Sequence, residues 1–379
     1  RGGDAGHLAY GAGGGGGRVA VYYETDGGFT GFETSTAAGG AGHAGGGQVG
    51  TVAFFETTTA NHHLSVYEVL RLEKDAALHY GAVTLDDAAT VYLGGGTTLR
   101  VDAALTVAGN SHLICRAKDR SAQVAGEWVG QGVTIYAQDI VVEAGSAIHA
   151  DAEGYLGGYI AGEPGAGPGG GVHDGGGWAA GAGGYGGRGG TSHSGGTPGT
   201  TYGMAVRPAD IGSGGACDND TGSDRGGHGG GAVRLVVSGT LTLDGRIGAN
   251  GQTAGYGGGG GAGGAVWVTT GVLAGSGWFE ARGGDAGHLA YGAGGGGGRL
   301  AVYYETDGGF SGFETSTAAG GGGHGGGGQA GTVGFFITSP ADPAGYALVF
   351  DGQDDTALAA ETDLLNGLPL TVEAWVRPA

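Results

Sequence analysis

Lysine is nearly missing from this chain. Of 16 basic residues among 379, only Lys74 and Lys118 are lysines, and 36 acidic residues oppose them. The formal net charge of −20 repels phosphate backbones and anionic lipid, which excludes nucleic acid and charged membrane surfaces as partners. No run of 18 apolar residues occurs, so the sequence holds no helical membrane span. Proline is scarce, at 8 residues, and glycine follows no strict period of three; collagen is excluded on both counts. Cys115 and Cys217 fit no metal spacing such as Cys-x-x-Cys. They leave two readings open, a disulfide tying an insertion to the body or two free thiols. Low charge density and scarce lysine suggest an exported, extracellular or cell-surface protein.

What the chain has is glycine, 100 residues of it. Such tracts usually behave as flexible coil. Yet 39% of the residues are hydrophobic, and 16 Tyr, 10 Phe and 5 Trp are ample material for a core. Residues 1–55 return at 282–336 with six mild exchanges: Val19 for Leu300, Thr30 for Ser311, Ala41 for Gly322, Ala44 for Gly325, Val49 for Ala330 and Ala53 for Gly334. A copy this close marks a modular, repetitive parent. The chain begins without Met and stops inside a recognisable motif, so we expect an excerpt of a longer protein.

A shorter period runs inside the long one. Val233, Val266, Leu300 and Val333 open equivalent apolar stretches spaced 33, 34 and 33 residues apart, and Val19 and Val52 repeat the 33. Each unit begins with an alternating strand such as Val233, Leu235, Val237, followed by a second such as Leu241, Leu243. A short third piece follows, Gly-Arg-Ile-Gly-Ala or Gly-Trp-Phe-Glu-Ala, before the unit dissolves into glycine. No tight Asn-Gly hairpin joins the strands. Units of about 33 residues that cannot bury an apolar face alone predict an all-β chain, a parallel β-helix whose coils stack. Each ordered glycine costs about 0.5–1 kcal/mol relative to Ala, so the runs must stay loose or be compensated. Stacked, side-chain-free arms could approach closely enough for N–H···O and Cα–H···O contacts in a polyglycine layer.

The expected organisation is then glycine-rich coils at 1–60, a short-coil parallel β-helix at 64–153, an insertion rich in Gly, Ser, Thr and Asp at 154–231, glycine-rich coils again at 232–338, and a different segment at 347–379. Val19, Val21, Tyr23, Val52, Phe54 and their copies should form the core of the glycine-rich coils. Tyr, Trp and Arg on the outer face should mediate contacts between molecules.

Three resemblances follow from these motifs. The Val-Trp-Val strand, Gly-Ser-Gly, Gly-Gly-x-Gly and a glycine run ending in Arg-Val-Ala-Val-Tyr-Tyr are similar to glycine-rich β-solenoid modules of very large bacterial surface and adhesin proteins. The apolar-x-apolar strands of 64–150, such as Val83-Thr-Leu and Leu105-Thr-Val, resemble the solenoids of secreted bacterial adhesins. Ala347-Leu-Val-Phe-Asp-Gly-Gln-Asp-Asp and Leu370-Thr-Val-Glu-Ala-Trp-Val-Arg-Pro resemble the opening of a LamG, concanavalin A-like lectin domain. That likeness implies a truncated β-sandwich fragment. It departs from the family at Thr356, where an aromatic is common, and carries no metal or sugar site into this chain.

Chemistry-bearing groups are few. The twelve histidines share no His-x-x-x-His spacing, and stacking or hydrogen bonding between glycine layers is the simpler reading. Asp218, Asp220 and Asp224 lie in one flexible segment with the oxygen ligands that calcium prefers, although the same residue types mark ordinary turns. No other cofactor is implied. Asp86-Asp87 and Asp354-Asp355 are strand neighbours pointing opposite ways, unsuited to paired acid–base work. No Gly-x-Ser-x-Gly elbow or phosphate loop can be assembled, so we expect no enzyme, a polysaccharide-degrading β-helix being the remote alternative. Ice binding is disfavoured because Thr240-x-Thr242 has no counterpart in the other coils. The expectation is an extracellular structural or adhesive segment of a stiff stalk or self-assembling filament, its partner another copy of itself. A carbohydrate-binding adhesin that engages extracellular glycans is the alternative.

Overall fold

The computed structural model describes residues 1–338 apart from 8–9, 44–45, 175–179, 220–223 and 325–326, together with the strand at 346–348. The LamG-like segment otherwise lies outside the described residues. Among these the regular structure is all β, the class the alternating stretches predict. The first copy supplies β1 (Arg18–Tyr23) and β2 (Thr51–Glu56). Short strands follow: β3 (His63–Val66), β4 (Val69–Leu72), β5 (Ala77–Tyr80), β6 (Ala82–Leu85), β7 (Thr90–Leu93), β8 (Thr98–Val107) and β9 (His112–Cys115). A small hairpin, β10 (Gln123–Val124) and β11 (Glu127–Trp128), precedes β12 (Val133–Val142) and β13 (Ala147–His149). After the insertion come β14 (Ala232–Leu243), β15 (Arg246–Gly248), β16 (Ala265–Ala274), β17 (Trp278–Glu280), β18 (Arg299–Asp307), β19 (Thr332–Thr338) and β20 (Tyr346–Leu348).

The strands form two principal sheets. One runs β1-β2-β3-β6-β8-β12-β14-β16-β18-β19-β20 with β5 beside β8, and the other runs β17-β15-β13-β9-β7-β4. Nearly all pairings are parallel; β2–β3, β19–β20 and β10–β11 are antiparallel. The sequence reading expected parallel pairing alone. The two reversals in the large sheet each follow the last strand of a glycine-rich copy, where the period of about 33 residues ends.

The repeat spacing appears as register. Val133, Val233, Val266, Leu300 and Val333 stand opposite one another in one row, and Leu99, Ile135, Leu235, Val268, Val302 and Phe335 in the next inward row. The smaller sheet carries a matching row of Leu70, Val91, Leu113, Ile148, Ile247 and Phe279. Apart from the exposed Val333, these rows meet in one core, where Ile135, Leu235, Val268, Ile247 and Phe279 are fully buried. Burial of each such side chain contributes about 1.5–3 kcal/mol. Alternation puts Arg100, Tyr136, Arg234 and Trp267 on the opposite face of the large sheet.

The glycine runs between strands are ordered by a three-residue rule. Gly259 and Ala262 donate their N–H groups to Ala216 and Ser213 at 3.0 and 2.9 Å; Gly260 and Gly263 donate to Ala293 and Gly296 at 2.8 and 2.9 Å. Gly261 and Gly264 donate to Gln252 and Ala249 at 3.0 and 2.7 Å. Each step of three along the donors is a step of three along the acceptors, forwards on the neighbour at 293–296 and backwards on the other two, the repeat of a polyproline-II helix with three residues per turn and no internal hydrogen bonds. One arm therefore bonds three neighbours at once. At the positions flanking Ala262 only glycine fits: a Cβ on Gly261 would overlap the carbonyl of His228, and one on Gly263 that of Ala281.

The insertion at 154–231 leaves between β13 and β14 and joins the same bundle. Gly183 donates to Gly260 and accepts from Gly296, both at 2.9 Å, while Gly187 and Gly190 donate to Gly297 and Gly294 at 2.8 Å. Tyr185, Ile211, Ala262 and Ala265 form a second apolar cluster beneath it.

Two expectations need correction. Val19 and Val21 are exposed, as is Val333, the copy of Val52, whereas Val52 and Phe54 are buried: β1 is the last strand of its sheet and none of the described residues lies over it. Cys115 and Cys217 are both buried and are not bonded to each other, which removes the disulfide reading.

Candidate functional site

The outward face of the large sheet gathers the groups best suited to contact another molecule. The Arg100 guanidinium lies over the Tyr136 ring at 4.4 Å, and that of Arg234 over Trp267 at 4.1 Å. Parallel pairing creates these stacks, because it sets successive outward residues side by side about 4.8 Å apart. Tyr303 stacks on Phe336 at 4.6 Å, and the equivalent Tyr22 on Phe55 at the same distance. The insertion covers the Tyr303–Phe336 end of the sheet. Tyr303 donates its hydroxyl to the Val206 carbonyl at 2.5 Å, and Arg299 donates to the Tyr202 carbonyl at 2.9 Å. Outward Tyr and Arg are therefore not all free for partners, as the sequence reading expected; the equivalent Arg18 and Tyr22 remain exposed.

On the smaller sheet a charged ladder crosses three successive units. Arg246 pairs with Asp151 and, at 3.3 Å, with Glu280. Asn250 donates its backbone N–H to Asp151 at 2.7 Å and its side-chain amide to Glu280 at 3.0 Å. Burial opposes ionisation of Asp151, but hydrogen bonds from His149 and Arg246 outweigh it and hold the carboxyl well below the usual range. Burial pushes Glu153 the other way, against the pull of Arg120 and Arg116. This ladder braces one unit on the next and aims no free group outward. No sequence spacing announced it, since Asp151 and Arg246 are separated by the whole insertion.

The acidic segment is partly assembled. Asp218 and Asp224 are buried and both approach Gly257, and His173 Nε2 lies 3.3 Å from Asp218. Asp220 lies outside the described residues. Burial raises the Asp218 carboxyl, and nearby Asp224 adds to the shift. Burial likewise pushes the neighbouring Cys217 thiol up to about 11, and raises Cys115, so both stay protonated and unreactive at neutral pH. Among the described residues no three His, Cys, Asp or Glu side chains are grouped to hold a metal ion.

Histidines serve the glycine arms. Burial holds His228 below its ordinary range, and its neutral Nδ1 accepts the Gly157 N–H at 2.9 Å. His324 packs edge-on against His193 at 5.1 Å, and His288 stacks on Tyr291 at 4.7 Å. Comparison with protein-family models, curated proteins and solved structures finds no match.

Proposed function

We propose that this chain is a segment of an extracellular structural or adhesive protein, built as a parallel β-helix whose coils of about 33 residues carry stacked polyglycine arms. The observation that carries the reading is the coincidence of two lattices in one repeat. Apolar rows align strand over strand, while the glycine arms bond with a three-residue period to neighbours on three sides. A body cross-linked this way along its stacking direction resists bending, and each added coil extends it without new chemistry. The reading assigns no catalysis and no cofactor. It places the protein on or outside a bacterial cell as part of a stalk or filament, its principal partner another copy of itself. Electron microscopy of the purified protein tests it: smooth fibres a few nanometres wide are expected, and isolated globular particles contradict assembly.

A second reading, a glycan-binding adhesin, is favoured by the half-exposed Arg100–Tyr136 and Arg234–Trp267 stacks, because aromatic faces beside polar groups suit sugar rings. Thermal protection by extracellular polysaccharide, lost in Trp267→Ala, would support it.

A further inference from the structure

The two nearly identical copies differ in what covers them. Leu300, Val302, Tyr303 and Phe310 are 1%, 0%, 7% and 4% exposed, while their equivalents Val19, Val21, Tyr22 and Phe29 are 39%, 37%, 63% and 50% exposed. The cover over the second copy is the preceding unit, residues 249–281, with the insertion adding to it at Tyr303. Its strand β16 pairs with β18 from Ala265↔Arg299 to Leu273↔Asp307. Its arm accepts the Gly284 N–H at Gly261 and the Arg299 N–H at Gly264, at 2.8 and 2.9 Å, and donates from Gly260 and Gly263 to Ala293 and Gly296.

The first copy keeps the groups that would make those bonds. A Cβ on Gly284, Gly287 or Gly298 would overlap the backbone of Gln252, Gly255 or Gly264, whereas Gly3, Gly6 and Gly17, at the same places in the first copy, have nothing within 4 Å. The glycines are retained where no neighbour requires them. The exposed valines are retained on a face that water now touches. Both features fit a surface shaped for a backbone to lie against.

We propose that the open face of residues 1–23 is a docking surface for one more strand-and-glycine unit with the chemistry of residues 249–281. Such a unit would add a parallel strand to β1 through Val266- and Val268-type residues over Val19 and Val21, and would lay a glycine arm against Gly3, Gly6 and Gly17. This is strand addition at a sheet edge with a second, side-chain-free contact beside it. The inference rests on the stacked reading above and names the occupant that reading leaves open at this end.

The test extends the full chain by fusing a second copy of residues 232–281 directly ahead of Arg1, reproducing the junction at Ala281–Arg282. Amide exchange at Gly3 and Arg18 is expected to slow by about 100-fold relative to the unextended chain. The slowing should vanish when the added unit carries Val266→Asp and Val268→Asp. Unchanged exchange at Gly3 and Arg18, with Gly260 and Gly263 protected in the same sample, overturns the docking proposal alone. Loss of protection at Gly260 and Gly263 overturns the stacked reading itself. Sedimentation of the unextended chain as a closed dimer, with Val19→Asp restoring the monomer, would show that this face pairs with itself in place of a unit like 249–281 and would also overturn the proposal.

Discussion

At the scale of single residues, the buried charges and the glycines decide stability in opposite ways. Arg246 holds two half-buried carboxylates, Asp151 and Glu280. Removing it takes the guanidinium from both in a partly desolvated site, so Arg246→Met is expected to cost about 3 kcal/mol at pH 7 in denaturant unfolding. Asp151 is held below its unfolded value near 3.9. Its contribution is therefore present above about pH 4 and lost as pH falls through its folded value. The penalty of Arg246→Met should shrink on the same descent, because a protonated Asp151 needs no counter-charge. The Asp218 carboxyl is raised instead, so ionisation costs stability as pH rises through the ordinary carboxylate range. Asp218→Asn is expected to stabilise the fold more at pH 7 than at pH 4. The glycines give a matched pair. Gly284→Ala drives a Cβ into the Gln252 carbonyl and should cost about 2–3 kcal/mol. Gly3→Ala, in the same sequence context but open space, should stay within about 0.5 kcal/mol.

At the scale of elements, the three-residue rule makes a prediction that ordinary loops do not. One glycine inserted between Gly260 and Gly261 turns part of the arm by about a third of a turn and mispairs its donors; three inserted glycines restore the phase. Melting should fall further for the single insertion than for the triple one, and the reverse order would mean the arms are tethers. The strands were legible in the sequence because alternation and the spacing of Val233, Val266, Leu300 and Val333 report register directly. The glycine arms were legible as a steric need for bare backbone, but not as threefold helices. A run without side chains carries no periodicity to read, and its bonds go to partners such as Ser213 and Ala216 in the insertion. The reversals at β2–β3 and β19–β20 were hidden for a related reason: Glu56 and Thr338 end strands whose residues suit either pairing direction. The Asp151–Arg246–Glu280 ladder was invisible because no local pattern links residues that only the fold brings together.

For the whole molecule, one architecture accounts for the composition. The path of eleven strands in the large sheet spans about 50 Å at about 4.8 Å per strand, and the glycine arms between its strands bond to one another beside it. The surplus of acidic over basic residues, 36 against 16, gives such a body a net charge that opposes non-specific aggregation. The entropic cost of ordering so much glycine is offset only if the arms are bonded along their length, and the structural role proposed above stands on that point. Amide hydrogen exchange, read residue by residue across Gly257–Gly264 and Gly294–Gly298, tests it most directly. Protection comparable to that of Val266 and Leu300 in the adjoining strands is expected. Exchange at random-coil rates in those runs, with the strands protected, would contradict it.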